Sequence, residues 1–121
     1  MTHNPVIVYV ADKAQSEAFA RNTDIVVYGA DTMRNALAQT IFTYPDAIVI
    51  DASEDMLRAE DTFFHLRTIE HPPIVILSNM PQRWETENRG ARVVILPENS
   101  PYQSIAQTVY DLLAEAITSP C

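Results

Sequence analysis

A three-layer α/β/α doubly wound fold, with a five-stranded parallel sheet between two layers of helices, is the fold class that the sequence predicts. Three observations lead to it. Five short apolar runs rich in β-branched residues recur along the 121-residue chain. They lack the polar alternation of a half-exposed sheet, which is how strands covered on both faces read. Segments with helical spacing separate them, so strand and helix alternate. Right-handed crossovers then wind helices onto both faces and give strand order 2-1-3-4-5.

The first run, "VIVYV" at 6–10, leads into Ala11-Asp12, and a helix is predicted over 13–22. The second run is "DIVVY" at 24–28. Met33, Ala36, Leu37, Thr40, Ile41 and Tyr44 then follow i, i+3, i+4, i+7, i+8, i+11, the stripe of a core-facing helix. The third run, "AIVI" at 47–50, runs straight into Asp51. A helix over 60–70 is expected to bury Phe63, Leu66 and Ile69. "IVIL" at 74–77 ends in Ser78-Asn79, and "VVIL" at 93–96 ends in Pro97. Between them "QRWETENRG" (82–90) is polar nearly all round, so it predicts a short helix with Trp84 as its one anchor. The last helix opens with "SPYQ", where Ser100 suits the cap, Pro101 the first turn and Gln103 the reciprocal capping position. Tyr102, Ile105, Ala106, Val109, Leu112 and Leu113 form its apolar face. "TSPC" (118–121) reads as a tail, either the start of a linker or a frayed terminus, so residues 1–121 are expected to form one domain with its core at about 5–117.

Charge and composition exclude several functions. The formal net charge is −8 and the basic residues stand singly, so the surface repels phosphate backbones and direct nucleic-acid binding is not expected. The start "MTHNPVIVYV" has no basic region before an apolar core, and no apolar run approaches the roughly 20 residues of a membrane span, which predicts a cytoplasmic protein without membrane contact. Cys121 is the sole cysteine, which leaves no disulfide framework and no cysteine metal site. The two glycines, Gly29 and Gly90, cannot make the G-x-G-x-x-G cradle of a dinucleotide site. His3, His65 and His71 share no ligand spacing with carboxylates. An aspartate-nucleophile hydrolase would need Asp-x-Asp after its strand, and "DAS" (51–53) has Ser53 in the third place. A non-enzymatic module is therefore the expectation.

In a parallel sheet, ligands meet the C-terminal ends of the strands, which here bring Ala11-Asp12, Asp51, Ser78-Asn79 and Leu96-Pro97 to one edge. This set, in this order, resembles the receiver domain of bacterial two-component response regulators, the chemotaxis-regulator-like, flavodoxin-like (βα)5 fold. The resemblance covers about residues 5 to 117. "VAD" (10–12) matches the acidic pair after the first strand, Asp51 the phospho-accepting aspartate, Ser78 the hydroxyl after the fourth strand, and Leu96-Pro97 the Lys-Pro after the fifth. "ADTMRNAL" (30–37) and "GARVVILP" (90–97) resemble the flanking stretches. The resemblance implies that Asp51 accepts phosphate, that Ser78 contacts the phosphoryl group, and that Asp12, Asp51 and the backbone carbonyl of Ser53 hold Mg²⁺.

The departures from the family gather in the pocket. Leu96 stands where the family has lysine, and replacing that ammonium removes a charge-assisted hydrogen bond of about 1.5–3 kcal/mol. Lys13, the one lysine, sits beside Asp12 and is expected to be solvated. Ala11 replaces the first acid, so Mg²⁺ is expected to bind weakly. Glu54-Asp55 replaces Met-Pro and adds negative charge at the mouth, and Val93 or Val94 replaces the aromatic switch residue. These changes predict a pseudo-receiver that signals through a protein partner or an output domain. The alternative is a phosphorylatable receiver served by a histidine kinase. The contact face that the family implies lies on the segment 82–90, the fifth strand and the last helix, with Trp84, Arg89, Arg92, Gln103, Tyr110 and Asp111 as candidates and homodimerisation as one use of it. Trp84 has a second reading, as the residue that packs its segment onto the sheet.

Overall fold

The computed structural model describes residues 4–69, 71–80, 82, 84 and 93–118. Its elements run β1 (Val6–Val10), α1 (Lys13–Asn22), β2 (Val26–Ala30), α2 (Met33–Thr43), β3 (Ala47–Asp51), α3 (Met56–Leu66), β4 (Ile74–Leu77), β5 (Val93–Leu96) and α4 (Tyr102–Thr118). The strands form one sheet in the order β2-β1-β3-β4-β5, parallel throughout. This is the predicted architecture. The short helix expected over 82–90 falls outside the described residues apart from Gln82 and Trp84.

Period-two side-chain direction splits each central strand between two apolar layers. Ile7, Tyr9, Ala47, Val49, Val75 and Leu77 face α1 and α4, where they meet Phe19, Ile105, Val109 and Leu112. Val8, Val10, Ile48, Ile50, Ile74 and Ile76 face α2 and α3, where they meet Ala36, Ala59, Phe63 and Leu66. Because both faces are covered, the central strands tolerate no polar residue until Asp51 at the end of β3. Each fully buried aliphatic or aromatic side chain here contributes about 1.5–3 kcal/mol from area removed from water.

Three element starts differ from the sequence reading, each for a local reason, and at the C-terminal ends β2 runs on to Ala30, β3 takes in Asp51 and α3 stops at Leu66. β2 starts at Val26 rather than residue 24, because pairing in register with Val6 sets its first rung. Upstream, Thr23 ends α1, its hydroxyl donating to Phe19 O at 2.9 Å, while Ile25 drops into the core before the ladder begins. α3 starts at Met56 rather than 60, because Asp55 caps it, accepting from Arg58 N at 3.0 Å. An acidic pair that reads as a loop thus contains a helix cap. α4 starts at Tyr102, yet Ser100 does not cap it: the hydroxyl donates to Pro97 O at 2.8 Å. Gln103 leaves the cap as well and donates to Asn22 O at 2.7 Å, tying α4 to the end of α1.

α1 lies close over β2 at Gly29, where an added Cβ would stand 2.6 Å from Ser16 Oγ. That approach sets how α1, and the side chains of its first turn, sit over the neighbouring strand ends.

Candidate functional site

The register carries the ends of four strands to one edge. Asp51 pairs with Leu77 and Leu77 with Leu96, while Val10 pairs with Ile50. Beyond the ladder, Ala52 N donates to Leu77 O at 3.1 Å and Ser78 N to Leu96 O at 2.8 Å. Asp12, Asp51, Ser53, Ser78 and Leu96 are therefore placed along the edge where the sequence put them.

Asp51 is the centre of the first half of this edge. Only 1% of it is exposed, so its carboxylate must find donors inside the protein. Ser53 supplies two to Oδ1, its backbone N–H at 2.8 Å and its hydroxyl at 2.5 Å. Two residues separate donor and acceptor, the local pattern that Asp favours in turns. Gln15 supplies the other side by donating Nε2 to Oδ2. Neither contact was read from the sequence, which assigned Ser53 only a carbonyl and passed over Gln15. The available signal was position: Gln15 is in the first turn of α1, three residues after Asp12, and helical side chains lean back towards the N-terminus.

Asp12 sits at the N-cap position of α1 but makes no capping bond. Its Oδ1 is buried and has no hydrogen-bond partner among the described residues. Glu54 lies against it, and the Glu54 carboxyl is pushed above its ordinary range, first by a hydrogen bond to Asp12, then by burial and by the charges of Asp12 and Asp51. Two carboxyls can share a hydrogen bond only if one keeps its proton. Arg58 opposes the shift, with Nη2 3.9 Å from Glu54 Oε2. The same guanidinium donates Nη1 to Asp31 O at 3.3 Å and so holds the first turn of α3 against the loop after β2.

Tyr9 lies beneath this cluster, fully buried, and its hydroxyl has no partner among the described residues. Burial, then the nearby charges of Asp51 and Tyr102, push its ionisation far above the usual tyrosine range, with the Gln15 side chain acting the other way. The environment therefore favours the protonated hydroxyl.

The second half of the edge is bonded to itself. Ser78 is buried, and its Oγ accepts from Met80 N at 3.0 Å. Asn79 and Glu98 pair reciprocally: Asn79 Nδ2 donates to Glu98 Oε2 at 3.3 Å, and Glu98 N donates to Asn79 Oδ1 at 3.1 Å. The loops after β4 and β5 are thereby linked. Leu96 packs half-buried against the α1/α4 apolar layer, and the peptide to Pro97 is trans. Lys13 is exposed beside a cavity of about 320 Å³ between α1 and β2 whose lining does not include Asp51.

The donor set does not suit the Mg²⁺ that the resemblance implies. That ion wants near-octahedral oxygen ligation. Here both Asp51 oxygens are already engaged, Ala11 takes the place of one acid, and Asp12 offers a single unpartnered oxygen. Among the described residues no three His, Cys, Asp or Glu side chains stand together as a metal site.

The expected contact face divides. Trp84 is 1% exposed and stacks edge-on against Phe63, centroids 5.6 Å apart, so it is a core anchor of its segment rather than a surface contact. Gln103 is spent on the α1 terminus. Tyr110 and Asp111 are on the exposed side of α4, Asp111 accepting from Gln107 at 2.9 Å. Arg89 and Arg92 fall outside the described residues.

The five-stranded order, the helical layers and the aspartate-bearing strand edge define the fold of a response-regulator receiver domain. Solved structures of that class superpose over nearly the whole chain. The receiver domain of a sensor histidine kinase from Pseudomonas aeruginosa, which has a magnesium ion coordinated in its active-site cleft, is similar at TM-score 0.71 and 19% identity, covering 93% of this chain and 99% of that one. A response-regulator receiver domain from Bermanella marisrubri matches at 0.71 and 20%, covering 89% and 96%. A chemotaxis response regulator of Vibrio cholerae matches at 0.69 and 17%, covering 92% and 99%. No family model and no curated relative matches the sequence. At these identities the likeness is one of fold. Among the described residues, no helix is long and apolar enough to cross a membrane.

Proposed function

We propose that this chain is a receiver-like signalling module that works by protein–protein contact, with phosphate-triggered switching reduced or lost. One observation carries the reading: both oxygens of the Asp51 carboxylate are engaged, by Gln15 and Ser53, while Leu96 stands where a lysine would bind a phosphoryl oxygen. The reciprocal Asn79–Glu98 link supports it, since movement of the loop after β4 would have to break two hydrogen bonds. The partner is a protein or an output domain in the cytoplasm. The contact surface includes Tyr110 and Asp111 and is open to use by a second copy of the chain. No reaction and no nucleic-acid contact is assigned to the module.

The test is an amide NMR spectrum with Mg²⁺ alone and again with beryllofluoride, a phosphoaspartate mimic. The reading expects no saturable shifts at Asp12, Asp51 and Ser78, and expects Asp51→Asn to leave signalling intact. Shifts that saturate and spread into β5 and α4 would overturn it. A second reading, a receiver phosphorylated on Asp51 by a histidine kinase with Ser78 contacting the phosphoryl group, is favoured by the unpartnered Asp12 oxygen in the same acidic cluster. Acid-labile phosphate on the wild type, lost in Asp51→Asn together with output, would establish that reading.

A further inference from the structure

We propose that Gln15 is the residue that closes the Asp51 site, acting as a built-in, uncharged substitute for the ligands a receiver pocket takes from outside. The inference rests on the reading of the pocket as a weakened receiver and names what keeps it closed. A buried carboxylate has two oxygens to satisfy. The turn after β3 satisfies Oδ1 alone, through the amide and hydroxyl of Ser53, and that arrangement leaves Oδ2 free to face a ligand. Gln15 removes the freedom by placing its carboxamide on Oδ2 from the first turn of α1.

Three features make this a lock rather than a chance contact. The donor comes from α1, 36 positions away in sequence, so the bond ties a helix to the end of β3. α1 is itself held down, by the close approach at Gly29 and by the Gln103 bond at its far end. Tyr9, fully buried beneath the cluster, stands next to the Gln15 side chain and closes its inward side. A carboxamide donates without charge. The site therefore persists without a cation, as its lost lysine and lost acid require. Gln15 is a positioning residue: it acts by occupying the oxygen through which Asp51 would meet a phosphoryl group.

The experiment compares four proteins, wild type, Gln15→Ala, Leu96→Lys and the double variant, each titrated with beryllofluoride in Mg²⁺ and followed by amide NMR. Gln15 and Leu96 are both only half-buried, so the variants are expected to fold, and the unliganded spectra report whether they do. Gln15→Ala is expected to give saturable shifts at Ser53 and Ser78 where wild type gives none. The double variant is expected to saturate at about tenfold lower concentration, and Leu96→Lys alone is expected to stay silent. A folded Gln15→Ala protein that stays silent would overturn the proposal, as would Leu96→Lys alone responding as strongly as the double variant. Saturable shifts in wild type at the same concentrations as in Gln15→Ala would overturn both this proposal and the reading beneath it. Wild-type shifts at much higher concentrations than in Gln15→Ala would overturn that reading and keep Gln15 as the lock.

Discussion

The two halves of the strand edge solve the same problem in opposite ways. On the β1–β3 side, polar groups converge on one buried carboxylate: Gln15 and Ser53 bond to Asp51, and Glu54 and Asp12 lie next to it, the Glu54 carboxyl raised above its ordinary range by that company. On the β4–β5 side, polar groups bond to their own loops, Ser78 to Met80 and Asn79 to Glu98, and an aliphatic side chain occupies the remaining position. A phosphorylation switch needs the halves to meet across a ligand. Here the side-chain hydrogen bonds of each half stay within that half, and Asp51 is the hub of the first.

This contrast is sharpened most by removing the hub. Asp51→Ala leaves the Ser53 amide, the Ser53 hydroxyl and the Gln15 carboxamide without their acceptor, and should cost about 2–4 kcal/mol in urea denaturation. Asp51→Asn should cost less, about 1 kcal/mol, because Oδ1 survives and Gln15 can turn its oxygen towards the new amide. A clear gain of stability in Asp51→Asn would mean that the carboxylate is strained for function, which would reverse the comparison. Asn79→Ala comes next: it breaks both bonds to Glu98 at an exposed place and should cost about 1 kcal/mol without moving the Ser53 or Gln15 resonances. Movement there would show the halves to be coupled after all.

The pH dependence is a smaller effect with a definite sign. The Glu54 carboxyl is raised above its ordinary value of 4.5, so the folded protein binds that proton more tightly than the unfolded chain. Its stabilising contribution is full below pH 4.5 and is lost as pH rises through the raised value. Glu54→Gln should abolish this local loss and make the protein slightly more stable at pH 7 than wild type, measured as melting temperature against pH. The smallest effect is expected from Tyr9→Phe. Removing a buried hydroxyl with no partner among the described residues should leave stability unchanged or raised by less than about 1 kcal/mol. A large loss would reveal a bond to Gln15 or Asp51 and add a donor to the first half.

Most of the fold was legible in the sequence because its signals are local. The β-branched runs, the i, i+3, i+4 stripes and the place of Asp51 after "AIVI" each follow from a few adjacent residues. The boundaries that were missed depended on a second segment. Val26 begins β2 because Val6 is opposite it, and Gln103 leaves the helix cap because Asn22 O lies within reach. The exception is Asp55, a local cap hidden inside an acidic pair. The site was legible in part. Position at the strand ends singled out Asp12, Asp51, Ser78 and Leu96, and the family resemblance gave them roles, while Gln15, Tyr9 and the Asn79–Glu98 pair carried no motif.

The sequence by itself determined the layered architecture and the edge on which polar chemistry collects. These follow from residue type and periodicity, which need no knowledge of what lies across the sheet. Only the tertiary structure decided what the remaining groups do. A carboxylate at a strand end can be open or closed, and which it is depends on donors 2 and 36 residues away. Trp84 had two readings in the sequence, a partner anchor and the favoured one of packing onto the sheet, and Phe63 from α3 against its ring decides for packing. The physical reason is the same in both cases. Hydrogen-bond satisfaction and close packing are properties of a neighbourhood, and the neighbourhood of a buried residue is assembled from parts of the chain that its own sequence window does not contain.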